Sequence, residues 1–186
     1  MSQDKKKELR KEIKKRFSEN LSDNKKKSEL ICNKILSLEE YAQSDIIFAY
    51  MALEDEVDLS GVIKKSFEDN KKIAIPKITD DYQNMEFYFI NENEYLLLKN
   101  GKYGILEPLD TNPVDFLNKK SLFLVPGRAF TKNGKRLGRG KGFYDKYFSS
   151  QNLMNVIKIG ICFDFQIFDD VPVDKNDILM DKIIFA

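Results

Sequence analysis

Leu122-Phe-Leu-Val-Pro-Gly-Arg-Ala-Phe-Thr-Lys-Asn-Gly-Lys-Arg-Leu-Gly-Arg-Gly-Lys-Gly-Phe-Tyr-Asp-Lys-Tyr-Phe148 runs from an apolar strand, through a glycine-rich loop, into a helix. The strand stops at Pro126-Gly127. The loop turns at Asn133-Gly134, continues as Gly138-Arg-Gly-Lys-Gly142, and meets the predicted helix near Phe143. Glycines let backbone approach a phosphate closely and turn successive N–H groups towards it. A helix N-terminus behind them adds partial positive charge, and Arg136, Arg139 and Lys141 add full charges. The stretch is not a Walker A loop, because Lys135 stands five residues before Gly140 and Gly142 follows Lys141. Nor is it the dinucleotide fingerprint, which follows its strand directly. A lone glycine-rich loop can be an ordinary turn. Glycines, bases and aromatics together at a strand-to-helix junction favour a phosphate ligand.

Outward from this stretch the chain alternates strands and helices. Leu9, Ile13 and Phe17 recur every fourth residue and predict an amphipathic N-terminal helix, with Lys6 and Arg10 on a shared face. Residues 22–41 read as a second helix, with Ser22 as N-cap and Leu30, Ile31, Ile35 and Leu38 inward. Asp45-Ile-Ile-Phe-Ala-Tyr-Met51 is a short, nearly continuous apolar run, as expected of a strand buried on both faces. Residues 58–70 read as helix. Strands are expected at Lys72–Pro76, Met85–Ile90, Val156–Ile161 and Lys182–Phe185. The pattern predicts an α/β chain: one domain over residues 1–186, in three layers, with a mainly parallel sheet flanked by helices. Ligands of such sheets bind beyond the carboxyl ends of the strands, where the glycine-rich loop falls.

Composition narrows the chemistry. Among 186 residues there is no histidine, so histidine-based nucleophilic catalysis and histidine-ligated zinc are excluded. Acids and bases must be carboxylate, lysine, tyrosine, water or the substrate itself. Cys32 and Cys162 fit no metal or redox spacing, which suits a reduced compartment. The basic start lacks an apolar secretory core. The longest apolar run, Ile46 to Leu53, is eight residues, too short to span a membrane. A soluble cytoplasmic protein is expected. Net charge is +1, yet residues 1–27 hold eleven Lys/Arg against five Asp/Glu, and residues 127–146 hold seven Lys/Arg against one Asp. Two basic segments on an acidic background fit a local anion such as a nucleotide phosphate chain. Solvated lysine helices, or an RNA-binding surface, are the alternatives.

Arg136-Leu-Gly-Arg-Gly-Lys-Gly-Phe-Tyr-Asp145 resembles the signature of the 5-formyltetrahydrofolate cyclo-ligase (methenyltetrahydrofolate synthetase) family. Lys6-x-x-Leu9-Arg10, Glu56-Val-Asp58, Met85-Glu-Phe-Tyr88, Tyr103-Gly-Ile-Leu-Glu-Pro108 and Val171-Pro-Val-Asp-x-x-Asp177 match further family motifs in order. Thr131, where Asp is frequent, and Phe143, where Tyr is frequent, depart from the pattern. The resemblance implies a Rossmann-like fold of the type shared with CoA transferases. It also implies conversion of 5-formyltetrahydrofolate and ATP to 5,10-methenyltetrahydrofolate, ADP and phosphate with Mg2+. It implies ATP contacts from Lys6, Arg10, Arg136, Leu137, Gly138, Arg139, Gly140, Lys141, Gly142, Phe143 and Tyr144. Folate would meet Met51, Glu56, Arg139, Gly140, Lys141, Gly142 and Phe143. Lys141, Arg139 and Tyr144 would act in catalysis, and Asp145 and Asp177 would hold Mg2+. A monomer that binds small molecules, and neither nucleic acid nor membrane, is expected.

Taken one at a time, these residues read otherwise. Asp145 suits a helix first turn, Asp177 a loop, Glu56 a solvated acidic surface and Tyr144 a core. A folate-binding relative without catalysis would share every motif.

Overall fold

A strand that is apolar on both faces must be covered on both sides, and that requirement organises this chain. The computed structural model describes residues 2–109, 112–114, 119–151 and 153–186. The N-terminal segment forms α1 (Ser2–Glu19), α2 (Asn24–Leu36) and α3 (Glu39–Gln43). Strand β1 (Ile46–Phe48), α4 (Ser60–Glu68), β2 (Lys72–Ile78) and β3 (Met85–Ile90) follow. Next come α5 (Glu92–Leu96) and the small pair β4 (Lys99–Asn100) and β5 (Leu106–Glu107). The chain then forms β6 (Ser121–Pro126), the hairpin of β7 (Ala129–Phe130) and β8 (Arg136–Leu137), α6 (Phe143–Ser150), β9 (Val156–Cys162) and β10 (Lys182–Phe185).

The main sheet has six strands in the order β10-β9-β6-β1-β2-β3. All neighbours are parallel except β2 and β3, which pair antiparallel at the edge. The expected mixed α/β architecture is therefore found. From β1 the chain builds outward through β2 on one side, then returns to lay β6 on the other. The topological switch point lies between β1 and β6, and their carboxyl ends open the crevice where doubly wound sheets bind ligands.

Side chains alternate between the two faces. Ile47, Ala49, Ile73, Leu122 and Leu124 point to a core with Ile31 and Ile35 of α2 and Val62 and Ile63 of α4. Ile46, Phe48, Ala74, Phe123 and Val125 point to the other, with Tyr147 and Phe148 of α6. Phe48 and Phe123 are register partners on β1 and β6, stacked with centroids 3.8 Å apart and interplanar angle 10°. Phe87 meets Phe48 edge-on at 5.1 Å. Helix α1 leaves the sheet alone for much of its length. Its Ile13 packs with Ala129, Leu137 and Val171, which fixes the helix beside the β7–β8 hairpin.

The predicted 22–41 helix is divided. A 3-10 turn covers Leu21–Asp23, Asp23 takes the N-cap place instead of Ser22, and the helix stops at Leu36 before resuming at Glu39. Leu30 is 55% exposed, not inward. The buried face is Ser28, Ile31, Cys32 and Ile35, a spacing of three, one and three that leaves Leu30 on the opposite side. Among the described residues, no helix is long and apolar enough to cross a membrane. Phe123→Ala should lower unfolding free energy by about 3–5 kcal/mol, read from urea denaturation as a lower midpoint with an unchanged slope.

Candidate active site

Two loops leave the switch point. Residues 49–57 follow β1, and residues 127–142 follow β6. The β7–β8 hairpin raises the second loop, and its turn is locked by Gly134. Here φ is +93°, the carbonyl accepts from Met180 N at 2.9 Å, and a Cβ would lie 2.3 Å from Met180 O. Gly142, at φ 69°, provides the left-handed entry to α6.

Between the loops lies a cavity of ≈ 330 Å³. One wall carries Gly138, Arg139, Lys141 and Gly142, and the other carries Tyr50, Met51 and Glu56. Tyr103 and Phe143 lie at its rim with ring centroids 6.4 Å apart. The ammonium of Lys141 stands 5.5 Å over the Tyr103 ring, and Tyr103 adopts φ 57°.

Arginines strap the glycine loop on both sides. From α1, Arg10 Nε donates to Gly138 O at 2.9 Å. From the loop itself, Arg139 Nε donates to Glu56 Oε1 at 2.9 Å, and its Nη2 pairs with Asp55. Asp55 is shared with Arg128. Glu56 Oε2 accepts the Leu53 N–H at 3.0 Å. Burial alone would raise the Asp55 pKa, but Arg139 and Arg128 outweigh it and hold the carboxyl below its usual range.

Deeper in, Arg136 is 6% exposed. Its Nη2 lies 2.9 Å from both oxygens of Asp145, its Nη1 donates to Pro126 O at 3.3 Å, and its guanidinium sits 5.5 Å over the Tyr144 ring. Asp145 Oδ1 also accepts the Ile178 N–H at 3.1 Å. Desolvation, reinforced by Glu56, pushes the Tyr144 phenol well above the usual tyrosine range, so it stays protonated. Lys6 Nζ lies 2.8 Å from Asp174 Oδ2 and 2.6 Å from Asp177 Oδ2. Burial pulls the Lys6 pKa down, but the two carboxylates overcome it and the net shift is upward.

A model of the 5-formyltetrahydrofolate cyclo-ligase family matches residues 2–186. The chain belongs to this family. The Mus musculus 5-formyltetrahydrofolate cyclo-ligase is 28% identical over 173 residues, covering 86% of this chain and 82% of the relative. A probable 5-formyltetrahydrofolate cyclo-ligase of Schizosaccharomyces pombe is 32% identical, covering 83% of this chain and 81% of the relative. The solved 5,10-methenyltetrahydrofolate synthetase of Aquifex aeolicus superposes with TM-score 0.81 at 29% identity, over 97% of this chain and 89% of that one. Its Mycoplasma pneumoniae counterpart gives 0.74 at 25%, over 96% and 97%.

Within this cyclo-ligase fold, Met51, Glu56, Arg136, Gly138, Arg139, Lys141, Gly142, Phe143, Tyr144 and Asp145 all line the one cavity. Gly140 closes the loop, where a Cβ would sit 3.4 Å from the Arg10 guanidinium. Three of the expected ligand residues also have structural partners. Leu137 buries its side chain with Ile13 and Val171. Arg136 spends its Nη groups on Asp145 and Pro126. Lys6 is held between Asp174 and Asp177, because an ammonium that is 8% exposed needs counter-charge.

The metal expectation meets a similar constraint. Both Asp145 oxygens face Arg136, and Asp177 Oδ2 serves Lys6 and accepts the Asp174 N–H at 2.6 Å. Among the described residues, no group of three or more His, Cys, Asp or Glu is placed to hold a metal. Mg2+ ordinarily takes one or two carboxylates and completes its shell with phosphate oxygens and water, so two carboxylates are enough in number. They do not make an all-protein cage.

The sequence reading missed Asp55, Arg128 and Asp174. Asp55 had a signal, its place beside Glu56, but an acidic triplet also looks like solvated surface. The depressed Asp55 pKa means its contribution to stability is complete above the unfolded-state value of about 3.9. It is lost as pH falls through the lower folded-state value. The difference in urea midpoint between the parent chain and Asp55→Asn should be constant above about pH 5 and shrink below about pH 4.

Proposed function

We propose that this chain closes the formyl group of 5-formyltetrahydrofolate onto N10, giving 5,10-methenyltetrahydrofolate, with ATP converted to ADP and phosphate. One observation carries the reading: Arg139, set in the glycine loop, reaches across the switch-point cavity to Glu56. A loop suited to phosphate and a carboxylate suited to a pterin edge thus face one another over the same ≈ 330 Å³.

The chemistry explains the pairing. The N5-formyl oxygen cannot leave as hydroxide. Transfer of the γ-phosphoryl group to it gives an iminium phosphate. N10 then attacks the formyl carbon, the N10 proton is lost, and phosphate departs. Phosphoryl transfer asks a protein mainly for position and charge stabilisation. Gly138, Gly140 and Gly142 present backbone to the phosphates, while Lys141 and Arg139 meet the transferring group. Arg10 braces the loop from behind and Arg136 holds its base through Asp145. Glu56 accepts hydrogen bonds from the pterin's amino and ring N–H edge, and Met51 and Phe143 give that ring apolar walls. Tyr144, kept neutral by burial, can donate a hydrogen bond. Asp145 and Asp177 would hold Mg2+, directly or through water, and the ion would neutralise phosphate charge.

Much of the basic charge at 127–146 is already matched inside the fold. Arg128 and Arg139 pair with Asp55, Lys135 with Asp170, and Arg136 with Asp145. That leaves the RNA-binding alternative with less free positive surface than the sequence promised.

Folinic acid with MgATP and purified chain should yield the methenyl product, seen by its near-ultraviolet absorbance, with one ADP per turnover. Absence of product from folded protein overturns the proposal. Lys141→Ala, at an exposed position, should lower kcat by at least about 100-fold without changing the melting temperature. Glu56→Gln should raise the folate KM by about tenfold, the cost of one charge-assisted hydrogen bond, measured in the same assay.

A further inference from the structure

Arg139 is held by two carboxylates that differ in position. Glu56 lines the cavity, and its Oε1 holds the Arg139 Nε at 2.9 Å. Asp55 grips the Nη2 end of the same guanidinium while pairing with Arg128, whose side chain is 13% exposed. The Arg128 backbone is fixed, since its main-chain N–H donates to Leu137 O at 2.7 Å on the β7–β8 hairpin. One anchor thus stands where a ligand would come, and the other is built into the scaffold.

This difference matters once folate binds, a step that rests on the function proposed above. Because Glu56 Oε2 already accepts the Leu53 N–H, pterin N–H donors would compete with Arg139 for Oε1. A guanidinium released from Glu56 alone would be a long side chain free to sample many rotamers. A guanidinium still fixed at one end keeps its fork directed. We propose that Asp55 is a positioning residue for the cyclo-ligase reaction: seated on Arg128, it holds Arg139 over the glycine loop when Glu56 exchanges that arginine for the folate. Asp55 touches neither substrate. It acts through Arg139, so its effect depends on Arg139 being present.

A double-mutant cycle on kcat separates this from a merely structural role. Asp55→Asn keeps the shape and removes the charge. It should lower kcat by about 10–100-fold, the scale of a misplaced catalytic group, with the folate KM within threefold of the parent. In an Arg139→Gln background the same substitution should change kcat by less than threefold, because the group it positions is already gone. Losses that multiply across the two substitutions overturn the proposal. So does a near-parental kcat for Asp55→Asn, or a loss confined to folate KM. Where Asp55→Asn melts below the assay temperature, the cycle is run with Asp55→Glu, which keeps the charge and moves the carboxylate by one methylene; the same non-additivity is expected, and multiplicative losses overturn the proposal equally. An active parent chain with multiplicative losses removes the Asp55 role alone. An inactive parent chain removes the function on which it rests.

Discussion

The adjacency of β1 and β6 is the constraint on which the rest depends. They lie in register, Phe48 stacked on Phe123, yet their chains leave the sheet to opposite sides. No crossover helix can cover the gap between them, so a crevice opens there. Everything polar that matters is hung on the loops at that gap. The sheet itself contributes almost none of it, because both of its faces are committed to apolar packing.

The two loops differ in sign. The loop after β1 brings Asp55 and Glu56; the loop after β6 brings Arg128, Arg136, Arg139 and Lys141. Their attraction strengthens as water is excluded. Arg128 and Arg139 on one loop are thereby paired with Asp55 and Glu56 on the other. The partners are far apart in sequence and meet through the fold. The same economy appears at the N-terminal helix, where Lys6 is buried only because Asp174 and Asp177 receive it.

The strands were legible because burial on both faces leaves continuous apolar runs, as at Ile46–Phe48 and Ser121–Pro126. The loop was legible because Gly134, Gly140 and Gly142 occupy backbone conformations that other residues adopt at a cost. Leu30 was misread because Ser28 and Cys32, which complete the buried stripe of α2, do not announce themselves as core. The pairing of Lys6 with Asp177 was hidden by a separation of 171 residues, and no local pattern reports such a contact. Arg136 was read as a ligand group because its glycine neighbours suggested phosphate. The fold adds that its guanidinium is paired with Asp145 while it lines the cavity.

The anchoring of α1 also bears on the order of assembly. Ile13 needs the β7–β8 hairpin and Val171, and Lys6 needs the carboxylates of Asp174 and Asp177. Lys6 of helix α1 is therefore seated by partners that lie 168 and 171 residues further along the chain. Until its own partners are in place, the apolar stripe of α1 stays uncovered. Such long-range closure is slow and leaves the unfinished chain open to chaperones and to aggregation. The crevice, braced by Arg10 of that same helix, is complete only once α1 is seated.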